Sequence, residues 1–232
     1  MITSASNPRL RLVRRLLGSR RQREREGLFA CEGEDLLEAA SAHGIEPVDV
    51  LVAGETVEPR LLAELSTLGH PPRVIAVFRR SDLRAIEGSS GLALWRVGDP
   101  GNVGTLIRAA DALGPAFVAL SAGCADPLGP KALRASAGAV FRVPMGSFEQ
   151  APRPRVALVP DGGTPLHELE LGEGTTFVLG SEREGLPDEI VARCDARATI
   201  PLAAQAESLN VAMVGTVALY ELARRSASFA SE

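Results

Sequence analysis

Leu92-Ala-Leu-Trp-Arg-Val-Gly-Asp-Pro-Gly-Asn-Val-Gly-Thr-Leu-Ile-Arg108 is the stretch on which the fold turns. Residues 92–97 form an apolar run of strand length. Pro100-Gly101 then sets a tight turn, because proline fixes φ and glycine admits backbone angles that other residues avoid. From residue 103 onward Val103, Leu106, Ile107, Ala110 and Leu113 recur at helical spacing and form one apolar stripe. A buried strand, a polar turn and an amphipathic helix over 103–113 make a βα unit. Asn102 stands where a helix N-cap belongs. Arg108 falls about 140° from Val103 at about 100° per residue, together with Gly104, Thr105 and Asp111, on the face turned away from the sheet. A surface ion pair with Asp111 is one account of it, and ligand binding is another.

The alternation continues in both directions. Downstream, strands are expected at 116–120, 139–143, 155–159, 176–179 and 198–200. Helices are expected at 129–137, 187–194 and 209–225, and 144–154 reads as loop. Short apolar strands separated by helices predict a parallel sheet covered on both faces. Upstream, a helix over 9–26 leads into strand 28–32, helix 34–43, strand 48–52, helix 59–68 and strand 73–78, a smaller α/β unit. Turn-rich Glu87-Gly-Ser-Ser-Gly91 separates the two parts. The expected organisation is therefore a unit at 1–86, a linker at 87–91 and a larger unit at 92–232.

The charge distribution is lopsided. Residues 1–30 carry eight Arg and two Glu, a net of +6, so the rest of this −4 chain carries −10. A basic arm on an acidic body suits a polyanionic partner, with Arg9, Arg11, Arg14, Arg15, Arg20, Arg21 and Arg23 as candidate phosphate contacts. A solvated helix with Arg–Glu pairs is the structural alternative. Three widely spaced cysteines without a CxxC or CxxH pair give no support for a disulfide framework or a zinc site, and no metal is expected. A reducing cytoplasm fits them. No run reaches the roughly 20 apolar residues of a membrane span. The glycines at 98, 101 and 104 do not have the spacing of a dinucleotide-binding loop. With only nine aromatic residues, base stacking is not the expected mode of binding. Trp95 and Tyr220 fall in core elements and are expected to pack.

Two further polar turns resemble the first in kind. Leu179-Gly-Ser-Glu-Arg-Glu-Gly-Leu-Pro187 leaves a strand and enters a helix that has proline in its first turn. Its small residues let backbone approach a ligand, and Glu182 stands at the carboxyl end of a strand, where open α/β sheets bind ligands. First-turn capping is the structural alternative for Glu182. Ile200-Pro-Leu-Ala-Ala-Gln-Ala-Glu-Ser-Leu-Asn210 precedes the last helix, which Ser208 can cap. The helix beyond it is apolar almost all round, so one side faces its own sheet and the other is expected to face a second copy of the chain, with Gly215 allowing close approach.

Taken together, the three segments resemble the motifs of the SpoU/TrmH family of the SPOUT superfamily, RNA ribose 2′-O-methyltransferases that use S-adenosylmethionine. Asn102, Gly104 and Arg108 match the first motif. Gly180, Glu182 and Gly185 match the second. Ile200, Pro201, Ser208, Leu209 and Asn210 match the third, with Leu202 in place of Met and Ala204 where the family has Gly. Residues 1–86 are similar, more loosely, to the substrate-binding domain that often precedes this catalytic domain.

The resemblance implies an α/β fold whose C-terminal domain has a parallel sheet and a deep trefoil knot. It implies S-adenosylmethionine bound by Leu179, Gly180, Glu182, Gly185, Ile200, Pro201, Leu202, Ser208 and Leu209, and a homodimer formed through the C-terminal helix. Arg108, Asn102, Glu182, Ser208 and Asn210 are the implied catalytic group. The family pattern gives Arg108 the task of deprotonating the ribose hydroxyl. A guanidinium stays protonated, so binding the target phosphate and stabilising the developing alkoxide is the role its chemistry favours. The implied activity is ribose 2′-O-methylation of 23S ribosomal RNA by a cytoplasmic enzyme. The alternatives are a transfer RNA 2′-O-methyltransferase, a non-catalytic RNA-binding homologue and a base methyltransferase.

Overall fold

The computed structural model describes residues 1–88, 90–171, 174–203 and 208–225. Two sheets organise it. The chain opens with helix α1 (Pro8–Gly18), whose buried edge is Leu10, Val13, Leu16 and Leu17. Helix α2 (Arg20–Glu26) follows. The sequence predicts one helix over 9–26. Instead Ser19 adopts an extended backbone and its Oγ accepts from the Gln22 amide, so a new N-cap interrupts the helix.

Strand β1 (Leu28–Glu32), helix α3 (Glu34–Ser41), strand β2 (Asp49–Val52), helix α4 (Pro59–Leu65) and strand β3 (Val74–Arg79) come next. They form a three-stranded sheet of order β1-β3-β2. Both of its pairings are antiparallel, with β3 in the middle.

The larger sheet contains β4 (Gly91–Leu94), β5 (Phe117–Leu120), β6 (Met145–Ser147), β7 (Arg155–Leu158), β8 (Thr164–Pro165), β9 (Thr176–Leu179) and β10 (Ala196–Thr199). Its order is β6-β5-β4-β9-β7-β10-β8, and every pairing is parallel. Parallel strands need crossovers: helices α5 (Pro100–Ala112) and α6 (Pro130–Ser136) follow β4 and β5, α7 (Asp188–Val191) joins β9 to β10, α8 (Val211–Arg225) follows β10, and β6 to β9 succeed one another without an α-helix among the described residues. Helix α5 packs between α6 and α8.

Several expected elements move. The apolar run at 139–143 is not a strand. Ala139–Phe141 is a buried 3-10 turn, and the edge strand is Met145–Ser147, inside the expected loop. A short apolar run fits a buried turn as well as a strand, and pairing decides between them. Tyr220 is 53% exposed rather than packed, whereas half-buried Trp95 meets Phe148 edge-on at 5.1 Å. Gly215 does allow a close approach, but to its own chain. A Cβ there would stand 2.2 Å from Leu106 Cδ2 of α5 and 3.2 Å from Leu179 Cδ2.

The two sheets share a core. Phe29 and Phe78 of the smaller sheet meet Phe141 of the larger part at 6.1 and 5.1 Å between ring centroids. Arg23, only 5% exposed, donates from Nε to Asp126 Oδ2 at 2.7 Å and from Nη1 to the Leu16 carbonyl. Arg20 donates to the Cys124 carbonyl at 2.9 Å. Helix α2 is thereby fastened to the loop that follows β5.

Candidate active site

The carboxyl ends of β4 and β9 lie side by side, with Leu94 opposite Leu179 and the Trp95 amide donating to the Leu179 carbonyl at 2.8 Å. Each strand opens into one of the polar turns. After β4 the chain enters α5 three residues earlier than the sequence suggests. Asp99, not Asn102, is the N-cap: its Oδ1 accepts from the Asn102 amide at 3.0 Å, and Pro100 opens the helix. The Asp-Pro pair was the signal that could have found this. Lys131 donates to the other carboxylate oxygen of Asp99 at 2.8 Å. That bond, with the Asn102 amide behind it, holds the Asp99 carboxyl below its ordinary pKa.

Asn102 is thereby placed in the first turn of α5 with its side chain free to reach across. Its Nδ2 donates to Glu182 Oε1 at 2.8 Å. The same carboxylate accepts from the Gly98 and Asp99 amides at 3.2 and 3.3 Å. Burial opposes ionisation of Glu182, and these donors outweigh it, so its pKa lies below the usual carboxylate range. Asn210 completes the group. Its Nδ2 donates to Asn102 Oδ1 at 3.2 Å, and its own Oδ1 accepts from the Ala212 amide at 2.8 Å. Asn210, rather than the expected Ser208, therefore caps α8. Ser208 is exposed and makes no hydrogen bond among the described residues.

Arg108 lies six residues beyond Asn102, about 9 Å along the helix axis at 1.5 Å per residue. It is exposed beside Thr105, and among the described residues it has no ion pair or hydrogen bond. The pairing with Asp111 does not form, because Arg142 takes that carboxylate with two of its nitrogens. Gly104 is buried against α6 instead of sharing the open face with Arg108.

The second turn is built on contact between backbones. A Cβ at Gly180 would stand 2.1 Å from the Gly185 carbonyl carbon, and Ser181 and Gly185 exchange amide–carbonyl bonds at 3.2 and 3.0 Å. Gly185 has φ +65°. The third segment presents half-buried Ile200 and exposed Pro201, Leu202 and Leu209. Ala204 lies outside the described residues. Apolar side chains left open beside a tight backbone turn fit a flat nucleoside held by van der Waals contact and main-chain groups.

The basic arm is only partly open. Arg9 forks onto Asp49, Arg20 pairs with Glu24, and Arg15 and Arg25 stand near Glu26. Arg23 is buried and cannot meet a ligand, which corrects its place among the phosphate contacts. Arg11, Arg14 and Arg21 are exposed and have no partner among the described residues.

A doubly covered parallel sheet with three polar turns meeting at its carboxyl edge defines a ligand-binding α/β enzyme class. Comparison with known proteins resolves the class further. Residues 90–220 match the model of the SpoU rRNA Methylase family, and the chain belongs to that family. It is 32% identical to an uncharacterised tRNA/rRNA methyltransferase of Synechocystis, over 97% of this chain and 93% of that protein. It is 29% identical to the 23S rRNA guanosine 2′-O-methyltransferase RlmP of Bacillus subtilis, over 95% and 98%. Among solved structures, the SpoU methyltransferase AviRb of Streptomyces viridochromogenes in complex with AdoMet superposes with a TM-score of 0.83 at 28% identity, covering 97% of this chain and all of that one.

Proposed function

We propose that this protein transfers a methyl group from S-adenosylmethionine to a ribose 2′-hydroxyl of 23S ribosomal RNA. The observation that carries this reading is the meeting of Asn102, Glu182 and Asn210, one residue from each turn, in a chain of the SpoU family. RlmP, which aligns over nearly its whole length, favours ribosomal over transfer RNA.

The cofactor supplies an activated methyl group when bound. Gly180, Gly185, Ile200, Pro201, Leu202 and Leu209 hold its nucleoside, and Leu179 backs the site from the core. Glu182, Asn102 and Asn210 form a rigid polar wall that orients the ribose, with Ser208 at its edge. Orientation is the main task, since fixing two reactants in line removes much of the entropic barrier. Arg108 binds the target phosphate and stabilises charge as the hydroxyl loses its proton, a role open to a cation with no partner among the described residues. Residues 1–86 dock the RNA through Arg11, Arg14 and Arg21, and 92–232 carry out the transfer, in the cytoplasm where ribosomal RNA is made.

The chain acts as a homodimer. Met213 and Tyr220, 60% and 53% exposed, form with Val217 an apolar stripe along the outer face of α8, where a second copy packs.

The test is methyl transfer from labelled S-adenosylmethionine to unmodified 23S ribosomal RNA, followed by nuclease digestion. Labelled nuclease-resistant dinucleotides are expected, and Arg108→Ala abolishes them with cofactor affinity near wild type. Label confined to base-modified mononucleotides, or full activity in Arg108→Ala, overturns the reading.

A further inference from the structure

Arg96 has a left-handed backbone, with φ +54°. Arginine meets a steric penalty there that glycine does not, and such residues persist only where their surroundings impose them. The surroundings here are specific. The Arg96 amide donates at 2.8 Å to the Oγ of Ser121, a buried hydroxyl at the end of β5. The stem lies across Gly123, where a Cβ would stand 2.7 Å from Arg96 Cγ. The loop beneath is sewn to the same segment by the Ser121 amide to the Leu94 carbonyl at 3.0 Å and the Ala125 amide to the Val97 carbonyl at 2.8 Å. A buried hydroxyl and a glycine thus hold one exposed arginine in a strained conformation. Among the described residues its guanidinium has no ion pair or hydrogen bond.

Its position gives the strain a use. Arg96 sits between two links to the second turn: the Trp95 amide on Leu179 before it and the Gly98 amide on Glu182 after it. On its other side, the loop that carries its stem is gripped by Arg20 through Cys124 and by Arg23 through Asp126. Arg96 therefore stands where the loop after β5, fastened to basic helix α2, meets the loop after β4 that leads to Glu182. A planar guanidinium with all its donors free matches a phosphate bidentately.

We propose that Arg96 grips a backbone phosphate of the substrate strand between the RNA held by the N-terminal part and the ribose at Glu182, and so sets which nucleotide reaches the site. This rests on the RNA-methylating function proposed above. Arg96 is a positioning residue and takes no part in the transfer itself.

The test compares wild type, Arg96→Gly and Arg96→Lys on unmodified 23S ribosomal RNA, measuring RNA affinity across a salt series, KM for RNA, affinity for S-adenosylmethionine and melting temperature. Glycine relieves the backbone, so R96G melts no lower than wild type. Its RNA Kd and KM rise roughly threefold to tenfold, and its salt slope falls by about one phosphate contact. Its cofactor affinity is unchanged. R96K keeps the charge and the wild-type salt slope. Wild-type RNA affinity and slope in R96G overturn the proposal. So does a parallel loss of RNA binding, cofactor binding and melting temperature, which marks a purely structural role. Failure of the wild-type protein to bind or methylate the RNA overturns the underlying function instead.

Discussion

Asn102 donates to Glu182 at 2.8 Å and accepts from Asn210 at 3.2 Å, so one amide joins three turns that are far apart in sequence. Neither end of that amide can be reversed, because Glu182 only accepts when ionised and Asn210 already uses its oxygen on the Ala212 amide.

Replacing Glu182 by Gln removes the charge that fixes this arrangement while keeping the shape. Methyl transfer is expected to fall at least about tenfold, since a charge-assisted bond is roughly twice as strong as a neutral one. The sign with pH follows from the lowered pKa. The contribution of Glu182 to the folded site is fully present above the unfolded glutamate value of about 4.3 and is lost as pH falls through the lower folded value. Cofactor binding measured from pH 8 down to 5 is therefore expected to show no step from Glu182. A step within that range contradicts the assignment.

Gly180→Ala forces a methyl against the Gly185 backbone, which cannot move aside as a side chain can. A loss of about 1–3 kcal/mol is expected from overpacking, read by urea denaturation. Calorimetry with S-adenosylmethionine is expected to show weakened binding beyond that loss of stability.

Arg23 and its neighbours separate folding from binding. Arg23→Ala leaves Asp126 buried without its partner, and breaking such a pair costs about 3–5 kcal/mol. Combined Arg11, Arg14 and Arg21→Ala leaves stability within about 0.5 kcal/mol, as expected for exposed sites, but lowers RNA affinity and its salt slope. If the triple variant binds RNA as wild type does, those arginines are not the phosphate contacts.

Tyr220→Glu, with or without Met213→Glu, puts charge on the exposed stripe of α8. Sedimentation of the wild type is expected to give a dimer at micromolar concentration, and the variant a folded monomer. A monomeric wild type rules the dimer out.

Much of this was legible in the sequence. Strands such as Leu28–Glu32 and Thr176–Leu179 are legible because each is an apolar run of strand length bounded by glycines, Gly27 and Gly33 for the one and Gly174 and Gly180 for the other. Asn102, Glu182 and Asn210 could each be singled out, yet each also had an adequate local role as a cap or first-turn acid. Their convergence depends on sheet order, and β4 beside β9 is not written in any local pattern. The caps went astray by two or three residues because Asp99 and Asn102, like Ser208 and Asn210, are competing capping residues near the same turn. Burial of Arg23 was invisible for a related reason: its partner Asp126 lies 103 positions away.

The bonds from the Ala212 amide through Asn210 and Asn102 to Glu182 all point the same way. Glu182 and Asn102 can meet once the chain has been made through the second turn, but Asn210 takes its orientation from the start of α8, an element that follows. Without α8 the carboxylate keeps its partner in Asn102, but nothing holds the oxygen end of that amide. The site is therefore whole only with the last helix of the chain in place.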